Sequence, residues 1–395
     1  MNKKVLYIGQ LTDMSGYGNA ARNYIKCFDM FLDDSDIDFR VHNVSYETNN
    51  STNEDERELL NKYEIKDIRD FADDSTIVIV HQVPTFFTSG YWLEMSSYFK
   101  KENVVSSMAW EPNRLPTEWV NIYKEHVGQF IVYCEFTRQC FLSHGFAEEN
   151  IHLIEHPIFD IKENTSESLN REKFNIFSLS QWDDRKGWDI LIPAVCHEFF
   201  HHDDVELTIK TFRNEHIGAP VEQERNAVIR EVVAHKSKVQ HYGKHSGVKI
   251  NLICGIVEKH VISDLFSNST VYCLPTRCDS FGLTIGEAVI SKRAAIVPDL
   301  GGHRDYFSDD NPFLVKSKMQ SVKIPKAMFS TLDMQLVETD YDDLRAKLRK
   351  AYDIWKNNPD DLAKISDNNF DFATANVINN RKIYDKFVNL VGGGS

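Results

Sequence analysis

Thr276-Arg277-Cys278-Asp279-Ser280-Phe281-Gly282-Leu283-Thr284-Ile285-Gly286-Glu287-Ala288 reads as the strand-to-helix turn of a ligand-binding α/β sheet. It comes after the apolar run Val271-Tyr272-Cys273-Leu274, so it lies at a strand's carboxyl end. Gly282 lets backbone approach a ligand closely, and the residues after it open a helix whose free N–H groups favour a diphosphate. Two acids with seven residues between them, Asp279 and Glu287, bracket the turn. Glu287 falls a few residues into an apolar helix, where an unpaired carboxylate is costly. In that place it suits the hydroxyls of a polyol such as a ribose. The plainer alternative is an ordinary turn with a solvated glutamate.

On either side, short apolar runs alternate with amphipathic stretches. Val5-Leu6-Tyr7-Ile8-Gly9 reads as a first strand, followed by a Ser15-Gly16-Tyr17-Gly18 turn and a helix carrying Ala21, Tyr24, Ile25, Phe28, Phe31 and Leu32. Residues 38–44, 76–81, 104–108 and 129–133 are further strands, and a helix from Glu135 stops at Gly145. A polar stretch at 160–173, with Asn164-Thr165-Ser166-Glu167-Ser168, reads as a linker. The alternation then restarts, with strands at 175–179, 205–209, 248–253, 270–274 and 294–297 and a helix from Trp188 to about Phe200. Residues 316–339 lack periodicity and read as a surface excursion, whereas 342–355 are amphipathic. The stretch 370–391 reads as helical and is expected to return to the first domain. This order predicts an α/β protein of two Rossmann-like, doubly wound domains with a cleft between them. The expected boundaries are 1–160, a linker at 161–173, a second domain at 174–365, a C-terminal helix at 366–391 and an appended tail at 392–395.

The 395 residues, 42% hydrophobic and 26% charged, exclude a disordered chain, a collagen-like repeat and a small disulfide scaffold. No apolar run approaches the ~20 residues of a membrane span. Met1-Asn2-Lys3-Lys4 leads into a strand and not into a signal peptide, and seven cysteines suit free thiols in a reducing, cytoplasmic setting. A net charge of −14 argues against non-specific nucleic-acid binding, although residues 210–249 hold eight Lys or Arg against four Glu and four His.

Three more stretches bear on chemistry. Ser180-Gln181-Trp182-Asp183-Asp184-Arg185-Lys186-Gly187-Trp188 places two cations at a helix start, where they oppose the helix dipole unless an anion sits opposite. Asp299-Leu300-Gly301-Gly302-His303-Arg304-Asp305 comes directly after another strand, and Asn251 to Val271 runs from within one strand to the start of the next. Together with Asp279 to Ala288, these resemble, in the same order, retaining glycosyltransferases of family 4 (glycosyl transferases group 1), which have the GT-B fold. In the first half, Ser15-Gly16-Tyr17-Gly18 resembles that family's N-terminal glycine loop, and Trp110-Glu111-Pro112-Asn113-Arg114-Leu115-Pro116 resembles a branch of it. The resemblance covers about residues 3–310. It implies an enzyme that moves a sugar from a nucleotide-sugar donor, such as a UDP- or GDP-sugar, to a hydroxyl acceptor with retention of anomeric configuration. The acceptor class it implies is a saccharide or lipid-linked glycan.

Carried onto this sequence, the resemblance gives Lys186 and Arg185 to the diphosphate, Asp279 to the sugar hydroxyls and Glu287 to the ribose. Phe281, Gly282, Leu283 and Thr284 line the nucleotide-sugar site, and Gly16, Gly18 and His81 shape the reaction centre from the first domain. Two departures stand out: Asp279 where a Glu is usual, and Gln181 where an Arg is usual. No cofactor is expected, and no Asp-x-Asp metal motif lies at a strand end, so the expected reaction is metal-independent. His197-Glu198-Phe199-Phe200-His201 matches the zinc-protease pattern H-E-x-x-H, but it ends a helix with Leu191, Val195 and Phe199 as its apolar stripe and has no third ligand at the right spacing. His156-Pro157 reads as shaping the linker entry. The rival readings are transfer to modified bases of viral DNA, a GT-B sugar-nucleotide epimerase, and a non-catalytic binder.

Overall fold

Strands buried on both faces read as unbroken apolar runs, and two central strands of the first sheet are built that way. Val5, Leu6, Tyr7 and Ile8 are wholly buried, as are Val78, Ile79 and Val80. The computed structural model describes residues 3–13, 15–45, 52–164, 172–202, 204–213, 220–241, 243–321 and 334–392. The chain divides into two units, Met1–Phe159 with Ile378–Ser395, and Asp160–Val377.

The first unit runs β1 (Lys3–Gly9), α1 (Gly16–Phe31), β2 (Ile37–Asn43), α2 (Glu54–Tyr63), β3 (Ile77–His81), α3 (Gly90–Met95), β4 (Val104–Ser107), α4 (Thr117–His126), β5 (Gln129–Val132), α5 (Glu135–Ser143) and β6 (Ile151–Leu153). Its six strands are all parallel, in the order β2-β1-β3-β4-β5-β6. The chain leaves β1 toward β2 and returns on the other side to β3, which puts the sheet's topological switch point between β1 and β3.

The second unit runs β7 (Phe174–Leu179), α6 (Trp188–Glu198), β8 (Val205–Thr211), α7 (Val221–Ser237), the short antiparallel pair β9 (Gln240–His241) and β10 (Lys244–His245), then β11 (Lys249–Cys254), α8 (Lys259–Ser267), β12 (Val271–Cys273), α9 (Leu283–Ile290), β13 (Ala294–Pro298) and β14 (Leu314–Val315). An antiparallel ribbon, β15 (Ser317–Gln320) with β16 (Leu336–Thr339), and helices α10 (Tyr341–Asn357) and α11 (Pro359–Asn376) complete it. The parallel sheet has the order β11-β8-β7-β12-β13-β14, so its switch point lies between β7 and β12. Its core joins Phe174, Leu191, Val195, Leu207, Ile296, Leu348 and Trp355.

Four details differ from the sequence expectations. Ser15 to Gly18 is not a free turn: Ser15 caps α1, and Gly16 and Gly18 lie in its first turn. Residues Asp160 to Asn164 belong to the second unit, with Lys162 N–H donating to Ser263 Oγ at 3.1 Å and Asn164 Nδ2 to the Ser291 carbonyl at 3.0 Å. Residues 165–171 of the expected linker, 322–333 of the excursion and 393–395 of the tail lie outside the described residues. The stem of that excursion is the β15–β16 ribbon. Finally, the C-terminal stretch is two helices, because the backbone breaks at Val377 and α12 (Asn380–Leu390) restarts under an Asn379 cap. α12 packs in the first unit, with Phe387 5.1 Å from Tyr24 and 5.2 Å from Phe28, and Lys386 2.6 Å from Glu155.

Candidate functional site

Lys186 and Asp279 come from loops at the carboxyl ends of β7 and β12, the two strands that flank the second unit's switch point. Arg185 and Lys186 sit in a short 3₁₀ turn, Asp184–Lys186, whose cap Asp183 accepts the Arg185 N–H at 2.8 Å. Gly187 closes it in the left-handed region, φ 75°, and a Cβ there would lie 2.2 Å from the Pro275 carbonyl oxygen. Glycine is therefore the residue that lets the two loops touch.

Three charges meet across this contact. Lys186 Nζ donates to Asp279 Oδ1 at 2.6 Å, and Arg185 Nη1 lies 3.7 Å from the same oxygen while donating to the Cys278 carbonyl at 2.7 Å. Burial alone pushes the Asp279 carboxyl up, but Lys186 and Arg185 outweigh it and hold it below the usual carboxylate value. The other oxygen, Oδ2, is buried without a hydrogen-bond partner among the described residues.

Gly282, φ 74°, starts α9, and a Cβ there would meet His303 Cβ at 3.0 Å. Ile285 and Gly286 donate back to the Gly282 carbonyl, which leaves Leu283 and Thr284 at the helix's open end. The Thr284 hydroxyl meets the Tyr272 phenol at 2.9 Å, and that phenol donates to the Leu179 carbonyl at 2.9 Å. Glu287 is partly buried on the same helix, and burial pushes its carboxyl up to about 7, with Lys259 pulling the other way. Its carboxylate oxygens take no hydrogen bond from any described residue, while its backbone carbonyl accepts the Ser291 N–H at 2.9 Å. Phe281 is buried, 2% exposed, with its ring edge-on to Tyr306 at 5.1 Å.

His303, Tyr272 and Arg277 join the site although the sequence reading gave them no role. His303 is fully buried, its Nε2 bonded to the Pro298 carbonyl at 2.9 Å, its Nδ1 unpartnered among the described residues, and burial pushes its pKa down. Its sequence signal was its place directly after the Gly301-Gly302 pair.

The first unit's candidates follow β1 and end β3, the two strands that flank its switch point. His81 ends β3, but it is 2% exposed, with Tyr7 hydroxyl 2.5 Å from Nδ1 and Tyr17, Tyr24, Tyr133 and His156 around it. Burial pushes its pKa down to about 3, so the ring is a neutral core group at ordinary pH. His156 is buried in the same cluster, its ring 3.7 Å from that of Tyr133. Gly18 is buried and Gly16 exposed in the first turn of α1, after β1 and therefore on the same side of the switch point as His81.

The H-E-x-x-H residues lie at the far end of α6, which stops at Glu198, so His197 and His201 do not share a helical face. They line a cavity of about 620 Å³ with Phe200, His241, Tyr341 and Arg349. Glu198 is held by Arg345 at 3.1 Å and Arg349 at 2.8 Å. No group of three or more His, Cys, Asp or Glu side chains poised for a metal occurs among the described residues.

No protein-family model matches the chain, and no curated protein matches it either. Solved structures do. Anabaena HepE in complex with UDP-glucose is 10% identical, with a TM-score of 0.66 over 98% of this chain and 99% of that one. A glycosyltransferase from Rickettsia africae is 15% identical, with a TM-score of 0.65 over the whole of both chains. S. aureus TarM, in complex with Fondaparinux, alpha-GlcNAc-glycerol and UDP, is 15% identical, with a TM-score of 0.56 over 81% of this chain; the match spans 56% of that longer chain. The fold is GT-B. In this GT-B chain the candidate cluster sits in the second Rossmann-like unit, at the carboxyl ends of parallel strands where such sheets bind ligands. No described helix is long and apolar enough to cross a membrane, and all seven cysteines are buried, none in a disulfide.

Proposed function

We propose that the protein is a nucleotide-sugar-dependent glycosyltransferase that acts with retention, on a saccharide or lipid-linked glycan acceptor. One observation carries the reading. At the switch point of the second unit, Lys186 and Arg185 converge on Asp279, beside the open N-terminal end of α9 and a Glu287 carboxyl without a hydrogen-bond partner among the described residues. Two cations and a helix N-terminus suit a diphosphate, and the adjacent carboxyls suit sugar hydroxyls. The UDP and UDP-glucose in the similar structures favour a uridine diphosphate donor.

The chemistry asks mainly for electrostatics. As the bond from the anomeric carbon to the diphosphate ionises, negative charge grows on the leaving oxygen. Lys186, Arg185 and the N–H groups of Leu283 and Thr284 are placed to meet it. This makes no demand for a divalent ion, so we read the reaction as metal-independent. Glu287 holds the ribose and Asp279 a sugar hydroxyl through Oδ2. Retention rests on the resemblance to family 4, in which the acceptor attacks on the leaving-group side and a diphosphate oxygen takes its proton.

Four of the eight cations in the locally basic span are buried or paired with glutamates, which weakens the case for a nucleic-acid acceptor. Lys210 is buried, Arg213 pairs with Glu231, Arg225 with Glu222 and Lys249 with Glu206. The test is calorimetry with UDP, GDP and UDP-glucose, followed by incubation of the bound donor with glycan acceptors and assignment of the product's anomeric configuration by NMR. Transfer with the donor's configuration supports the proposal. Donor consumption without a glycoside identifies the epimerase, and binding without turnover identifies a binder.

A further inference from the structure

Arg277 is a buried guanidinium with every N–H in use. Nη1 and Nη2 each donate to an oxygen of Asp189 at 2.8 Å, and Nε donates to Glu338 Oε2 at 3.0 Å. Nη1 also donates to the Asp184 carbonyl at 2.6 Å, and Nη2 has a longer contact of 3.5 Å to Glu338 Oε1. Its backbone is engaged as well: Arg277 N–H donates to the Arg185 carbonyl at 2.7 Å, and Val337 N–H donates to the Arg277 carbonyl at 2.8 Å. One residue thus joins three elements. Asp189 is in the first turn of α6, Glu338 and Val337 are in β16, and Asp184 and Arg185 belong to the 3₁₀ turn that carries Lys186.

The sequence made residues 316–339 look like a surface excursion, and its stem proves to be fastened to the site. Besides Glu338 and Val337 on Arg277, Ser317 Oγ donates to Asp299 at the end of β13. A carbonyl and a carboxylate on opposite sides of a fixed planar fork are held in register in a way that one ammonium cannot reproduce.

We propose that Arg277 is a positioning residue for the diphosphate loop, and that the β15–β16 ribbon sets the place of Lys186 through it. This rests on the reading of Lys186 as the diphosphate's cation. Arg277 itself touches no reacting atom. The side chain of Lys186 is only 9% exposed, so a small shift of its turn changes both what it reaches and what reaches it.

The test compares Arg277→Met, Arg277→Lys and Glu338→Gln with the parent, all in the full chain. Three quantities are read: kcat and KM for UDP-glucose, the rate at which an amine-reactive reagent labels Lys186 by peptide mass spectrometry, and the melting temperature. In Arg277→Met, kcat is expected to fall about tenfold or more with KM changed about twofold, and Lys186 labelling to rise about fivefold. Arg277→Lys is expected not to rescue either, because lysine has three donors where five are in use. Unchanged Lys186 labelling and kcat in a folded Arg277→Met, or full rescue by Arg277→Lys, would overturn the proposal. Should both Arg277 variants melt out, Glu338→Gln decides it, since that change loosens only the ribbon side; parent-like labelling there counts against the relay. If the parent neither binds UDP nor consumes UDP-glucose while labelling still rises in the variants, the relay stands and the reading of the site as a donor site falls.

Discussion

Asp279 occupies the counter-ion position that the proposal gives to a diphosphate, and the two compete for the same cations. With Asp279→Asn, Lys186 and Arg185 lose that competitor. UDP is expected to bind about tenfold more tightly while turnover falls. Calorimetry reads the first effect, and weaker binding would refute the competition. Glu287 gives a pH signature. Its folded pKa is raised to about 7, so the charged form that accepts ribose hydrogen bonds fills in as pH rises through 7. Donor affinity is expected to climb between pH 6 and 8 and then level, and Glu287→Gln should flatten the profile and bind more weakly at pH 8. Because the raised pKa means that folding disfavours the charged form, the same variant should melt higher than the parent at pH 8 and gain little at pH 5. A profile that keeps its slope in Glu287→Gln would assign the titration to another group. Asp279, Lys186 and Glu287 were legible because each sits beside a local mark, a strand end or a glycine turn. The surroundings of His81 were not legible, for the opposite reason. The residues that bury it, Tyr7, Tyr24 and Tyr133, come from β1, α1 and the end of β5, and no residue near His81 announces them.

Elements were legible where burial is two-sided. β1, β3 and β13 carry unbroken apolar runs of four or five residues, β7 is apolar apart from Asn175 and Ser178, and the positions of all four can be read from the sequence to within a residue or two. α2 did not stand out because only Leu60 and Tyr63 of its ten residues are buried, too few to mark a period. The break between α11 and α12 carries no glycine or proline, and its one local sign is Asn379, which caps α12 through the Lys382 N–H at 3.0 Å. The contact between the β7 and β12 loops yields an element-scale prediction. Gly187→Ala adds a methyl 2.2 Å from a backbone carbonyl at a positive φ, where the backbone has little room to give. A stability loss of about 2 kcal/mol or more is expected, measured as a lower urea midpoint with the slope unchanged. Turnover should fall too, since Lys186 is the residue before. A variant with the parent's midpoint would mean that the two loops part without cost.

At the scale of the molecule, the two units should answer acid differently. Between pH 7 and 5, the groups that matter are those whose folded pKa lies outside the unfolded range of His, or inside it for an acid. In the first unit these are His81, held down to about 3, and His144, His152 and His156, all pushed down chiefly by burial. A histidine kept neutral in the folded state takes up its proton only on unfolding, so stability is lost as pH falls below about 6.5. Each such group contributes at most about 1.4 kcal/mol per pH unit in that window. The second unit has His235 and His303 shifted the same way, but Glu287 opposes them, because its raised pKa returns stability as pH falls through 7. Lowered carboxylates such as Asp73 in the first unit and Asp189 and Asp279 in the second add their loss only below about pH 4, outside the window. The first unit is therefore expected to unfold earlier on acidification. Calorimetric scans at pH 7, 6 and 5 should show the low-temperature part of the transition moving down faster than the rest. Tryptophans divide the assignment: Trp92, Trp110 and Trp119 report the first unit, and Trp182, Trp188 and Trp355 the second. Single-tryptophan variants read by fluorescence should place the acid-sensitive step in the first unit. If Trp188 or Trp355 responds first, the histidine cluster around His81 is not what limits stability in acid.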